Sequence, residues 1–385
     1  MERVNVRIIG AGPTGLLLAA SLARLDINVY IYDFVNQKSL ISKEKTYAIT
    51  HSSKRILEKF SLWDLLKSNI YGFNSLSISD TLIKKSALFS INDLSPDLEN
   101  SRYIGWVIKH SVLTRVLLER LSNHENVTFT NKYVDRISRK DFDYEFIADG
   151  ANSCFKKING LLNFKNNYNQ SCLTFKVRLR GNVKKRAYEI FRDEGPLALL
   201  PLSDNIYQVI WTSHNLTAKE RINLNRSFLL DNLSVTLPRD LKLDEIIGDV
   251  NCFPVSLSFT VPSFDFKKLI FVGDALHTFH PVGGQGLNAC WRDVNEIYNC
   301  FCESHNNKKR LSSLKFRFYT NRLLDIFSIF FTTHNLIVIF ANRNLFLIPL
   351  RKMSFFFLNR FSIIRRFLFS YMTKSLSFRS IRKFN

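Results

Sequence analysis

The sequence predicts an α/β fold: a parallel β-sheet with flanking helices, interrupted by an inserted antiparallel β-sheet and followed by a helical tail. Three observations carry this. A strand–helix–strand pattern opens the chain, β-rich runs fill its middle, and a buried strand leading into a helix returns near residue 270. The 385 residues predict two to three domains at about 150 residues each. A hydrophobic fraction of 46% is enough for a sizeable core, and 23% charged residues exclude a disordered chain.

Val4–Ile9 (VNVRII) reads as a short buried strand, Leu16–Arg24 as a helix and Val29–Tyr32 as a second strand, together one β-α-β unit. Ser52–Lys67 and Ser111–Leu121 place apolar residues at helical spacing, and Val127–Thr130 and Phe146–Ala148 read as strands. Thr174–Leu179 (TFKVRL) and Tyr207–Thr212 (YQVIWT) are β-rich and indicate a separate antiparallel sheet. Leu269–Val272 is again a buried strand, Gly286–Cys302 a helix, and Leu311–Leu324 begins the helical tail. A chain that leaves its first domain and returns to it forms a cleft, where ligands prefer to bind. The expected division is a first domain of residues 1–70, 106–165 and 263–303, a second of 71–105 and 166–262, and a helical region of 304–385.

Gly10-x-Gly12-x-x-Gly15 follows the first strand and opens the first helix. Its glycines allow the tight turn, the approach of backbone to a pyrophosphate, and close packing of helix on strand. Pro13 and Thr14 lie in the same turn, and the helix N-terminus faces the phosphates with its positive end. Asp33, at the end of the second strand, can accept hydrogen bonds from ribose hydroxyls. This predicts a Rossmann-like dinucleotide site without separating FAD from NAD.

Phe271–Asp293 (FVGDALHTFHPVGGQGLNACWRD) is more specific. It holds Gly273-Asp274, His277, His280-Pro281, Gly284-Gln285-Gly286 and Asn288. The segment resembles the hallmark of the group A flavoprotein monooxygenases, most closely the ubiquinone-biosynthesis hydroxylases. A third motif of that family, Asp149-Gly150, stands in order between the other two. The resemblance extends from residue 1 to about 330 and implies a glutathione-reductase-type, para-hydroxybenzoate-hydroxylase-like FAD domain. It implies that FAD is held by Gly10, Gly12, Pro13, Thr14, Gly15, Asp33, Lys45, Asp149, Gly150, Asp274, Pro281, Gly284, Gln285, Gly286, Leu287 and Asn288. Asp274 would meet the ribitol and the Gly283–Asn288 loop the flavin pyrimidine edge.

The resemblance further implies reduction by NADPH or NADH, a flavin hydroperoxide formed with O2, and transfer of one oxygen to a polyprenylated phenol in ubiquinone biosynthesis. Two departures stand out: Lys45 and Lys156 occupy places where the family has Arg, keeping charge but losing the planar fork. The stretch between Arg136 and Tyr144 is also short where relatives carry a hairpin. The sequence names no phenol base. A monooxygenase of a soluble phenol, a prenyl reductase, an FAD-binding assembly subunit without activity and an NAD dehydrogenase remain as alternatives.

The net charge of +21 is uneven: from Ser304 onward, 16 Lys and Arg face a single acid, Asp325. In Ser354–Thr373, Phe357, Phe361, Ile364, Leu368 and Tyr371 recur at helical spacing opposite Asn359, Ser362, Arg366, Ser370 and Thr373. This predicts a basic amphipathic helix suited to an anionic membrane surface or to other quinone-biosynthesis proteins, and not to nucleic acid. No run of about 18 uninterrupted apolar residues occurs, so the sequence predicts no membrane-spanning helix, no signal peptide, and a cytoplasmic protein peripheral on the inner membrane. The six scattered cysteines read as buried free thiols, and His277 and His280 as packing residues beside the loop, with no metal site.

Overall fold

The apolar strand Val4–Ile9 becomes the centre of a five-stranded sheet. The computed structural model describes residues 3–134, 141–158, 161–181, 185–262, 268–304 and 311–374. The sheet order is Leu269–Phe271, Tyr144–Ile147, Val4–Ile9, Ile27–Asp33, Val127–Asn131, with every pairing parallel. Parallel strands need cover on both faces, which is why Val6, Ile8, Phe146, Ile147 and Ile270 are fully buried. The helix Pro13–Leu22 packs against His110–Ser122 and Gly286–Ser304. The strand expected near residue 270 therefore does return to the first sheet, at its edge.

The inserted sheet has eight strands, ordered His277–Thr278, Leu243–Thr260, Asn163–Leu179, Ile206–His214, Leu197–Pro201, Arg186–Phe191, Ser75–Asp80, Lys85–Ser90. All pairings are antiparallel except Arg186–Phe191 with Ser75–Asp80. Strand alternation sorts its side chains onto two faces. Tyr188, Ile190, Leu199, Tyr207 and Trp211 pack on one face with Leu229 and Leu233 of the helix Arg226–Thr236. On the other, Ala187 packs with Phe73, Val107 and Phe369, and Phe191 with Val282, Ile337 and Phe355. That second face is turned to the Val282–Gly284 loop and the C-terminal helices.

A three-stranded sheet of Thr46–Ile49, Gly105–Lys109 and Tyr71–Phe73 joins the two larger sheets. The segment 71–105 is thus shared: Tyr71–Phe73 pairs with Gly105–Lys109, while Ser75–Ser90 supplies two strands of the eight-stranded sheet. The expected helix over Ser52–Lys67 is two helices, His51–Lys59 and Trp63–Leu66. The break falls at Ser61, whose φ of 57° a helix cannot continue. Of the cysteines, all free, Cys172, Cys290 and Cys300 are buried as expected; Cys302 is exposed and Cys154 and Cys252 are half-buried. Arg136 lies outside the described residues.

The tail corrects two expectations. Ser354–Thr373 is not one helix: Ile348–Arg360 and Ser362–Lys374 meet at Phe361, which has φ −120° and ψ 106°. Nor does the expected apolar stripe supply the packing. Phe355 and Phe369 are buried, whereas Phe357, Phe361 and Leu368 remain 39%, 43% and 37% exposed. Ion pairs decided the docking: Arg365 pairs with Asp93 at 2.8 Å, and the buried Arg351 faces Asp80 at 3.5 Å. The helix Leu314–Phe340 is long and apolar enough to cross a bilayer, which a count of uninterrupted apolar residues passed over. Of its four charged residues, Lys315, Arg317, Arg322 and Asp325, the last two are buried in ion pairs within the protein.

Those pairs form one network. Asp293, fully buried on the helix Gly286–Ser304, accepts from Gly273 N–H at 2.9 Å, His277 Nε2 at 2.8 Å and Arg322 Nε at 2.7 Å. Arg322 also pairs with Asp325, which accepts from Arg292 Nε at 2.8 Å. Burial pushes the Asp293 carboxyl up, but His277 and Arg322 outweigh it and hold it at about 2. Breaking such a set strands charge in the interior. Asp325→Asn leaves Arg292 and Arg322 without their shared anion, and should destabilise the protein by about 3–5 kcal/mol. Urea unfolding measures this, and a loss below about 1 kcal/mol would remove the network from its structural role.

Candidate functional site

Three loops converge at the C-terminal ends of the parallel strands. The first is the turn between Ile9 and Pro13. Gly10 has φ +104°, and a Cβ there would stand 2.5 Å from Ala148 O. A Cβ on Gly15 would stand 1.9 Å from Gly10 O. Gly10 must be glycine because the backbone of the 148–149 segment lies against it, and Gly15 because the helix packs on the Gly10 carbonyl. Gly12 differs, since a Cβ there meets nothing within 4 Å. It caps the helix Pro13–Leu22 with no side-chain hydrogen bond, so the first amides of that helix face open space.

Asp33 closes this turn from the next strand. Its Oδ2 accepts from Ala11 N–H at 2.6 Å and its Oδ1 from Val35 N–H at 2.8 Å. Each oxygen keeps a further lone pair. The second loop carries Asp149 and Gly150. Gly150 has φ +92° and open space where a Cβ would be. Asp149 Oδ1 is buried without a hydrogen-bond partner. Burial pushes the Asp149 carboxyl up to about 6, against the pull of Lys156. Lys156 is itself buried and donates to Ala151 O at 3.3 Å.

The third loop runs from Gly273 to Asn288. Asp274 is exposed there and accepts from Cys290 Sγ at 3.4 Å. A Cβ on Gly273 would stand 2.9 Å from Thr14 Cγ2, which places the first and third loops against each other. Gly283 and Gly284 have φ of 71° and 61°, so a chain turn forms between Pro281 and Gln285. Pro281 O accepts from Gly284 N–H at 3.0 Å, and Gln285 Nε2 donates to Gly283 O at 3.2 Å. Gly286 opens the next helix with nothing near its Cβ position, while Leu287 packs against the main core.

The side chain of Asn288 is used within the protein. Its Nδ2 donates to Ala48 O and Gly284 O, both at 2.9 Å. Its Oδ1 accepts from Thr50 N–H at 3.0 Å and Ser53 Oγ at 2.6 Å. The side chain is occupied in tying the loop to the Thr46–Ile49 strand and the helix after it. Lys45, at the start of that strand, is exposed, with Nζ 5.6 Å from the centre of the Phe253 ring.

The two histidines brace the loop. His277 is held by Asp293, and His280 Nδ1 accepts from Val282 N–H, which leaves Nε2 to donate to Gln170 Oε1 at 3.2 Å. Burial lowers His280 to about 3, so it is neutral. Among the described residues no cluster of three His, Cys, Asp or Glu could hold a metal ion.

Across the cleft from Gly283 stands a residue that the sequence reading passed over. Glu189 lies between Ala187 and Phe191 on the sheet face turned to the loop. Gly283 N–H holds its charge, while burial pushes the carboxyl up to about 7. The signal was present in RAYEIF: one acid at an inward position of an otherwise apolar strand.

The FAD binding domain family matches residues 3–314 of this chain. The uncharacterized protein slr1300 of Synechocystis sp. is 28% identical over 333 residues, covering 81% of this chain and 78% of its own. The 3-demethoxyubiquinol 3-hydroxylase of Escherichia coli (strain K12) is 24% identical over 355 residues, covering 85% and 87%. Among solved structures, p-nitrophenol 4-monooxygenase PnpA from Pseudomonas putida DLL-E4 shares the fold with a TM-score of 0.77 at 16% identity, covering 97% and 99%.

The raised Asp149 carboxyl has a consequence for the protein without ligand. Its folded value of about 6 exceeds the unfolded value of about 3.9, so the folded state holds the proton more tightly. The resulting stability is present below the unfolded value and is lost as pH rises to about 6. Thermal melts of the flavin-free protein should show Asp149→Asn flattening the fall in stability between those two values. An unchanged slope would mean that Asp149 is not the group responsible.

Proposed function

The chain belongs to the FAD binding domain family, and from that premise we propose that it hydroxylates the ring of a polyprenylated phenol in ubiquinone biosynthesis, with O2 and NADPH or NADH as co-substrates. It is an FAD-dependent monooxygenase. The observation that carries the finer reading is the cleft itself. Three glycine-rich loops line one wall, and a sheet face bearing an enclosed acid lines the other. The named activity of the Escherichia coli relative supports the quinone-pathway substrate.

The residues fit the cofactor. Gly12, Gly150 and Gly286 leave open space where side chains would otherwise stand, and Asp149 Oδ1 is a buried acceptor without a partner. The amides at the start of Pro13–Leu22, with Thr14 and Gly15, would hold the pyrophosphate of FAD. Asp33 keeps lone pairs for ribose hydroxyls while fixing the turn through Ala11. The exposed Asp274 would take the ribitol, and the Pro281–Leu287 backbone the pyrimidine edge. Lys45 and Lys156 supply positive charge near either end of the site.

Bound FAD supplies the redox and oxygen-activating chemistry, which no side chain of the protein provides. The protein's part is positioning. Asn288 and His280 fix the loop, so the phenol ring is received between the loop and the Ala187–Ala198 region of the sheet. The wall of apolar residues around that space excludes water. A polyprenyl substrate resides in lipid, and the tail is suited to meet it there. Leu345, Phe346, Ile363 and Phe367 are 73%, 92%, 73% and 71% exposed, with Lys352, Arg360 and Arg366 on the neighbouring helices.

Two measurements test this reading. The purified protein should show a visible flavin spectrum that NADPH or NADH bleaches without oxygen. Gly12→Asp should fold normally yet lose FAD by about 100-fold or more in affinity, because a carboxylate would meet the phosphates. Absence of flavin after reconstitution would end the hydroxylase reading. Separately, vesicles containing phosphatidylglycerol should carry the protein in flotation while uncharged vesicles do not. The double variant Phe346→Ser/Phe367→Ser should stay behind, and equal flotation of that variant would exclude the tail as the lipid contact.

A further inference from the structure

Glu189 stands where the positioning residues leave a task undone. A phenol attacks an electrophilic oxygen far better as its anion, because the oxygen's charge is shared with the ortho and para carbons. Something must take its proton. Around the cleft, His280 is spent on Val282 and Gln170, and Asn288 on the scaffold. Asp293 is locked among His277, Arg322 and Gly273.

The sheet places Glu189 at the centre of the opposite wall. Register sets it directly across from Ala198 on one neighbouring strand and beside Ile78 on the other. Ala198 and the same-face neighbour Ala187 both end at Cβ, so they leave room beside the carboxyl. The group is enclosed, yet part of its surface stays accessible, as expected of a side chain lining an internal cleft. Gly283 N–H of the loop is its one polar neighbour that favours charge. Cys172, three strands away on the sheet, is close enough to feel that charge. No Lys or Arg pairs with Glu189 among the described residues, so its negative charge is not committed to a structural ion pair.

We propose that Glu189 is the general base that accepts the hydroxyl proton of the phenol, an assignment that rests on the hydroxylase reading above. The phenol O–H bond breaks and its electron pair stays on the phenol oxygen. The proton forms the O–H bond of the Glu189 carboxylic acid, and the negative charge passes from carboxylate to phenolate. Neither partner is oxidised or reduced in this step. The raised carboxyl suits the task, since a base near the working pH is strong enough to help and still ionised often enough to act.

Glu189→Gln separates this role from a structural one. The amide has the same shape and keeps its oxygen toward Gly283, but it cannot take a proton. The probe is 2-geranylphenol, used with the FAD-loaded full chain. In the wild-type enzyme, kcat for hydroxylation should rise with pH through one ionisation near 7, as the carboxyl becomes the carboxylate that can take the proton. In Glu189→Gln that ionisation should vanish from the profile. Turnover should fall by about 100-fold or more in kcat with KM little changed. Flavin content should be retained, and Glu189→Asp should recover part of the rate. A Glu189→Gln enzyme with a wild-type pH profile and wild-type kcat overturns the assignment alone. A wild-type enzyme that holds FAD and oxidises NADPH, yet does not hydroxylate the probe, overturns the hydroxylase reading and the base with it.

Discussion

The site depends on one buried carboxylate. Asp293 receives the Gly273 amide, the His277 ring and the Arg322 guanidinium within a fully buried setting. Each donor belongs to a different part of the chain: the end of the returning strand, the short strand at the edge of the eight-stranded sheet, and the long C-terminal helix. A lone buried charge would be prohibitive, so the carboxylate is stable only with all its donors in place. Loop, sheet edge and tail therefore stand or fall together. This is why a helix apolar enough to cross a bilayer is pinned at its Arg322 and Asp325 end to the cofactor domain.

From this anchor the rest of the cleft follows. Asn288 lies one and a half turns before Asp293 on the same helix and fixes the loop to the strand and helix that begin at Thr46. The loop then presents Gly283 to the sheet, where Glu189 waits on a face flanked by alanines. Polar side chains that a motif search would assign to the ligand, such as Asn288 and His280, are used to hold the backbone. Open positions remain at Gly12, Gly150 and Gly286, where a Cβ would meet nothing within 4 Å.

Much of this was legible in the sequence, for physical reasons that differ by region. Val4–Asp33 was readable because its period and its glycines are local signals, and Phe271–Asp293 because Gly273, Gly283 and Gly284 sit at positive φ with close neighbours. The long strands Asn163–Leu179 and Leu243–Thr260 were seen only in part. Their outer ends, such as Asn163–Asn167, are exposed, polar except for Phe164, and show no apolar alternation. The tail was readable as helix but not in its packing. Which of Phe355, Phe357, Phe361 and Phe369 goes inside is decided by Asp80 and Asp93, more than 250 residues away in the chain. Glu189 was missed because a single acid in a strand declares nothing until its neighbours on the face are known.

The parallel pairing of Arg186–Phe191 with Ser75–Asp80, read together with the strand order of both sheets, sets a timetable for synthesis. The first sheet lacks its edge until Leu269–Phe271 has been made, and the second lacks its edge until His277–Thr278. A nascent chain released before that point carries two unfinished sheets with open edges, the condition under which strands of different molecules pair. Both sheets close within a few residues of each other, so a chain shortened at either junction should be captured by chaperones.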